Sequence, residues 1–443
     1  MKRKRKKRSI APISNQQPTI RPVTRRHFLE TGLVAGIGAA VLTPRIASSL
    51  QAREAETLIG QWPAGFYKGM CYSAFPSPYD PSIANRTCIF FGSDIAYSPM
   101  APLWGRTYTS ASGTRFLPCR DDLLTMKNMG VTLVRLYDWE PRNLHLNFLN
   151  YCHELGIKVF APVSNYFLIR GQGFENRNTL IPALIRSYRN AAGTDYHPAI
   201  AGIIMGNEPY IATPHLFGPT EAAEFTQDWV RIEQEQFAGF SLPPVGHPVD
   251  FGKYGNERFP QWDFWTDLLR RLRGTTTRDL QNRLFLAPQP QNDAEYLFDN
   301  AEGSGMGYVE LTYREFQKPL FFTELGLDRT KPNYLNVVDG QLNRSIAYGA
   351  QHPEQLKGIS YFQFDDKVWL CPTGDPAPPA RRCPSEGAFG VFSHTNEVLL
   401  TVNYVPADFT HFDNGPCDHE QLRPDRLTRN PVSEKVVAAY GGR

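Results

Sequence analysis

The chain has 443 residues, of which 41% are hydrophobic and 21% charged, enough apolar material for a large core and too much for a disordered polymer. Its formal net charge of +3 is unevenly spread: residues 1–52 carry eleven Lys/Arg and one acid, Glu30. What remains from residue 53 holds 36 basic and 43 acidic residues, a net of −7, so the body lacks the basic face that phosphate binding needs and a nucleic-acid partner is not expected.

In chain order, the first segment is the basic run Lys2–Arg8, which by itself also fits a nuclear signal or a nucleic-acid arm. It leads to Arg25-Arg26-His27-Phe28-Leu29 and then to an apolar, Gly/Ala-rich stretch from Gly32 to Leu42. The segment resembles a twin-arginine export signal, and the resemblance implies export by the Tat machinery to a periplasmic or secreted location. The apolar stretch is about half the ~20 residues a membrane-spanning helix needs, so no stable span is expected in the mature chain. Residues 1–52 are therefore read as leader, and 60–443 as a single catalytic domain.

Beyond the leader, short apolar runs alternate with helical patterns. The expected strands are Phe66–Tyr72, Thr132–Tyr137, Lys158–Val163, Ile200–Met205, Pro244–Val249, Leu284–Ala287, Pro319–Thr323 and Gly358–Phe364. Helical patterns fall at Asp121–Asn128, Leu144–Leu155, Glu221–Gln236, Asp263–Leu272 and Val337–Gln351. Eight strands alternating with helices predict an α/β fold with parallel strands, and eight is the number that closes a (β/α)8 barrel. The Pro-rich piece Pro372–Pro384 reads as a long loop after the last strand. The tail from Asn403 reads as wrapping the barrel and ending in a helix near Val432–Tyr440.

Such barrels carry their chemistry at the carboxyl ends of the strands. The fourth run ends Met205-Gly206-Asn207-Glu208-Pro209 and the seventh ends Phe322-Thr323-Glu324-Leu325-Gly326, so each sets one glutamate after a buried apolar run. Retaining glycoside cleavage needs two such carboxyls about 5–5.5 Å apart, one protonated and one ionised. Arg135 stands inside the apolar second strand, where a charge is costly unless paired. Its partner is either a catalytic carboxylate, which it would hold ionised, or a structural acid such as Asp121 or Asp138. Tyr137 suits either sugar contact or packing.

These motifs resemble clan A glycoside hydrolases. Cys119-Arg120-Asp121-Asp122-Leu123-Leu124, Met129 through Tyr137, Gly156 through Phe160, Phe321-Phe322-Thr323-Glu324 and Gly358 through Phe364 are similar to family 72 β-1,3-glucanosyltransferases and, more loosely, to family 17 β-1,3-glucanases. Pro209, the fifth and sixth strands and the insertion Trp369–Pro384 depart from that pattern. The resemblance implies Glu208 as acid/base, Glu324 as nucleophile and Asn207 as a ligand of the sugar 2-hydroxyl. Tyr72, Asn165, Tyr361 and Trp369 are further candidates for lining the sugar site, as are His247, Gln289 and Gln291. A mannanase or cellulase specificity, or a non-catalytic glycan-binding barrel, stays open at this point.

Of seven cysteines, Cys152 lies in a predicted helix and reads as a buried thiol, while Cys371–Cys383 and Cys88–Cys119 are candidate disulfides, with Cys71 an alternative partner for Cys119. No Cys-x-x-Cys, phosphate-binding glycine loop or Gly-x-Ser-x-Gly elbow is present, so neither metal nor cofactor is expected. Asp365-Asp366 and the group His411, Asp413, Asp418 and His419 read as solvated loop residues.

Overall fold

The computed structural model describes residues 62, 65–73, 121–142, 145–209, 216–237, 242–251, 260–273, 278–366, 388–398 and 425–443, with three two-stranded ribbons of two residues per strand elsewhere. The leader, Trp369, Cys88, Cys119, Cys371, Cys383 and the Pro-rich loop lie outside these residues.

Eight parallel strands close into a barrel: β1 (Tyr67–Cys71), β2 (Leu133–Arg135), β3 (Lys158–Val163), β4 (Ile200–Met205), β5 (Val245–Asp250), β6 (Leu284–Gln289), β7 (Leu320–Leu325) and β8 (Leu356–Tyr361). Neighbours in sequence are neighbours in space, and β1 completes the ring by pairing with both β8 and β2. The connections carry helices α1 (Asp122–Asn128), α2 (Leu146–Leu155), α3 (Arg177–Ser187), α4 (Pro219–Gln236), α5 (Pro260–Leu272), α6 (Arg278–Arg283), α7 (Ala294–Phe298), α8 (Tyr308–Phe316) and α9 (Tyr334–Gln351). The protein is a (β/α)8 barrel.

Alternation along each strand divides the apolar residues into two cores. Tyr67, Leu133, Phe160, Ile204, Phe285 and Phe321 fill the barrel with Trp62 and two alanines. The ring centroids of Phe160 and Phe321 are 4.6 Å apart, and those of Trp62 and Phe285 5.1 Å. Room for these rings comes from glycine: a Cβ on Gly246 would stand 2.3 Å from the Phe285 ring. The intervening residues, such as Val134, Val159, Ile203 and Phe322, join the larger core beneath the helices.

Caps explain the helix starts. Asp121 accepts from Leu124 N at 3.0 Å, and Glu221 reaches back to Gly218 N at 3.0 Å, so α4 starts at Pro219 rather than at Glu221. Helix α10 (Val432–Tyr440) packs back on the barrel, where the Tyr440 hydroxyl donates to Gly69 O at 2.8 Å and Lys68 Nζ to Tyr440 O at 2.9 Å. Cys152 is a buried free thiol whose pKa burial pushes well up. Among the described residues, no helix is long and apolar enough to cross a membrane, and no group of three or more His, Cys, Asp or Glu could hold a metal ion.

Candidate active site

The site begins with parity. On β2, Leu133 points into the barrel, so Arg135 does too, at the carboxyl end of the strand. It is completely buried. A guanidinium there must be paired. Its Nη1 lies 3.1 Å from Glu324 Oε1 at the end of β7, and its Nη2 donates to Asn207 Oδ1 at 2.5 Å. Its plane covers Tyr137, Cζ being 3.6 Å from the ring centroid. The Tyr137 hydroxyl in turn donates to the same Glu324 Oε1 at 2.9 Å. Of the structural partners weighed for Arg135, Asp121 instead caps α1 and accepts from Tyr151.

Electrostatics follow from this packing. Burial alone would lower the Arg135 pKa, but the acidic groups around it, Glu324 foremost among the carboxylates and Glu208 after it, outweigh it and hold the group above its ordinary value. Both glutamates therefore act on one guanidinium. Burial drives the Tyr137 pKa well up despite the opposing pull of Arg135, so its hydroxyl stays protonated as a donor.

The β4 end is shaped by backbone conformation. Gly206 has φ +72°, and Glu208, with a side chain, has φ +45°. A non-glycine residue in the left-handed region is strained and persists only when its surroundings over-determine it. Here Asn165 does so: its Oδ1 accepts from Asn207 N at 2.6 Å and its Nδ2 donates to Asn207 O at 2.9 Å. The Asn207 side chain is held as well. Its Oδ1 accepts from Arg135 and, at 2.7 Å, from Gln289 Nε2 on β6. Two donors on one oxygen fix which end of the amide is which, and Nδ2 donates to Glu208 Oε2 at 3.2 Å.

The structure therefore brings Arg135, Tyr137, Asn207, Glu208 and Glu324 together, with Asn165 behind Asn207 as a brace. Three expected site residues are elsewhere. Tyr72 follows the inward Cys71 and so points out. It is fully buried, with its hydroxyl donating to Asp122 Oδ2 at 2.9 Å. Tyr361 also belongs to the outer core and donates to Phe389 O at 3.2 Å. Strand-end position suggested both; side-chain parity removes them from the mouth. His247 likewise packs outward, with Nε2 3.1 Å from Thr226 Oγ1, and burial lowers its pKa to about 3. Neither Asp365, which is buried, nor Asp366 is a solvated loop acid. Asp366 is buried and accepts from both Nη atoms of Arg329 at 2.8 and 2.9 Å, from Gly390 N at 2.9 Å and from Ser393 Oγ at 2.6 Å. Phe362, not singled out in the sequence, packs its ring edgewise on Tyr137 with centroids 6.4 Å apart.

No family model matches the sequence, and no curated protein matches it. Among solved structures the chain is similar to Saccharomyces cerevisiae Gas2 in complex with laminaripentaose, at 15% identity and a TM-score of 0.44, over 85% of this chain and 65% of that one. A second Gas2 structure, with a compound bound, gives 16% identity and a TM-score of 0.46 over the same shares. The chain thus spans about two thirds of the length of those Gas2 chains. A GH128 (subgroup II) endo-β-1,3-glucanase from Sorangium cellulosum is similar at 14% identity and a TM-score of 0.41, over 72% of this chain and 94% of that one.

Proposed function

We propose that the chain is an exported retaining glycosidase or transglycosylase acting on a β-linked glucan, β-1,3-glucan first. One observation carries the reading: a buried Arg135 bridges Glu324, at 3.1 Å, to Asn207, at 2.5 Å, and Asn207 contacts Glu208. A carboxylate paired with a buried cation, and a second carboxyl joined to that cation through one amide, suit double displacement at the mouth of a barrel.

In this reading Glu208 gives its proton to the glycosidic oxygen while Glu324 attacks the anomeric carbon, and a glycosyl-enzyme forms as the leaving sugar departs. Glu208 then takes a proton from water, giving hydrolysis, or from a sugar hydroxyl, giving transfer. Arg135 and Tyr137 keep Glu324 ionised and aimed. Asn207 donates to the sugar 2-hydroxyl, a bond that strengthens as oxocarbenium character develops. The preference for β-1,3-glucan rests on the motifs shared with families 72 and 17. Export rests on the twin-arginine-like leader.

The test is product analysis after incubation with laminarin, cellulose and mannan, repeated with Glu324→Ala and azide. The reading expects shortened or elongated β-1,3-glucan products from the wild type, none from the variant, and azide rescue with the anomer inverted. A folded wild type that binds a glycan and releases no product would make the barrel a binding protein. Action on mannan or cellulose alone would reassign the substrate.

A further inference from the structure

Gln289 has no part in the double displacement just described, yet it spends its amide on that machinery. It ends β6, where the inward alternation Phe285, Ala287, Gln289 brings it to the barrel mouth beside Asp250 of β5. It is 4% exposed. Its Nε2 donates to Asn207 Oδ1 at 2.7 Å, whereas its Oε1 is buried and meets no donor among the described residues. A buried carbonyl oxygen without a partner is destabilising. An apolar residue of similar size would avoid that cost, so packing does not account for glutamine at this position.

The second donor on Asn207 Oδ1 does what Arg135 cannot do alone. The guanidinium must also serve Glu324, and both of its contacts shift if Glu324 moves when it bonds to the sugar. Gln289 is tied to a different strand and holds the Asn207 amide from the other side. With Oδ1 accepting from two directions, a flip of the amide would set its NH2 against two donors. Asn207 Nδ2 therefore stays turned toward Glu208, and its second hydrogen is directed to the substrate.

We infer that Gln289 is a positioning residue that makes the site selective for a glycone bearing a 2-hydroxyl, by locking the Asn207 amide in the orientation that donates to that hydroxyl. The inference rests on the retaining-glycosidase reading, in which Asn207 contacts the 2-hydroxyl, and adds to it the residue that enforces that contact. A merely structural glutamine would slow every substrate alike. A residue that acts through Asn207 slows those with the 2-hydroxyl more, because they lose the sugar contact in addition to any disturbance of Glu208.

The experiment compares wild type and Gln289→Leu on two substrates: an aryl β-laminaribioside, and its analogue deoxygenated at C2 of the sugar at the scissile bond. The expected result is a loss in kcat/KM on the parent that exceeds the loss on the 2-deoxy analogue by about 10-fold, the worth of one well-aligned hydrogen bond. Because Leu removes an unpaired buried oxygen, Tm should be unchanged or higher. Gln289→Glu, which sets a second acceptor against Asn207 Oδ1, should lose at least as much on the parent. Equal loss on both substrates by a folded Gln289→Leu would overturn the inference and leave the glycosidase reading standing. A wild type inactive on both would overturn the two together.

Discussion

Replacing Arg135 by methionine removes a buried cation that touches both halves of the proposed machinery. At 3.1 Å the attraction between Arg135 and Glu324 is about 5 kcal/mol for an effective dielectric constant near 20. Desolvation of the guanidinium offsets part of this, but methionine leaves the Glu324 carboxylate, only 13% exposed, facing an apolar side chain. Two effects on turnover follow. The nucleophile is ionised only at higher pH, so the acid limb of the kcat/KM profile moves upward. Asn207 keeps only Gln289 as a donor to Oδ1, and Glu324 keeps the Tyr137 hydroxyl. A misplacement of about 1 Å costs ~100-fold, so kcat/KM should fall by ~100-fold or more at neutral pH. Arg135→Lys separates charge from geometry. An ammonium keeps the charge but cannot fork to Glu324 and Asn207 as a guanidinium does, so the acid limb should return while most of the rate loss stays. The assay is a pH series of kcat/KM on laminarin, with Tm as the control for folding. A methionine variant within about 5-fold of wild type, with an unmoved acid limb, would refute the reasoning.

Other consequences are local. Gly206→Ala should lower Tm by several degrees and reduce kcat/KM together, because φ is +72° and a Cβ would stand 2.6 Å from the Phe217 ring, directly before Asn207 and Glu208. Thermal melts and initial rates check it; a neutral alanine would show that the β4 end tolerates other backbones. His247 predicts acid sensitivity. Its pKa falls from an ordinary 6.5 to about 3 in the fold, so below 6.5 the unfolded chain takes a proton that the folded chain refuses. That contribution is complete above pH 6.5 and drains away as pH falls toward 3. By pH 4 roughly 3 kcal/mol of it is lost. Urea unfolding at pH 7 and pH 4 should therefore show a smaller pH difference for His247→Gln than for wild type, and an unchanged difference would contradict the assignment.

The barrel was legible because buried parallel strands leave continuous apolar runs such as Ile200–Met205 and Leu320–Phe322 between amphipathic helices. Glu208 and Glu324 were visible for the same reason, each being the first acid after such a run. Arg135 stood out as a charge where the pattern demanded an apolar residue. What the sequence could not convey was which way a strand-end side chain points. Tyr72 and Tyr361 sit beside the mouth in sequence and under the helices in space, since one residue of register reverses the face. In the sequence, Gln289 is one further candidate with no motif of its own. The sixth strand was expected to end at Ala287, and the two further residues, in register with β5 through Asp250–Gln289, carry it to Asn207. Helix α3 went unassigned because Pro182 lies inside it and its polar residues blur the apolar stripe. The partners of Asp366 come from segments 37 and 27 residues away, and no local pattern records them.

The most direct test is to trap the intermediate. The protein is incubated with an activated 2-deoxy-2-fluoro β-laminaribioside, digested, and its peptides are weighed. Modification of the peptide containing Glu324, absent in Glu324→Ala, is the expected result. A label on any other residue, or an enzyme that turns over β-1,3-glucan with inversion of the anomeric centre, would contradict the assignment.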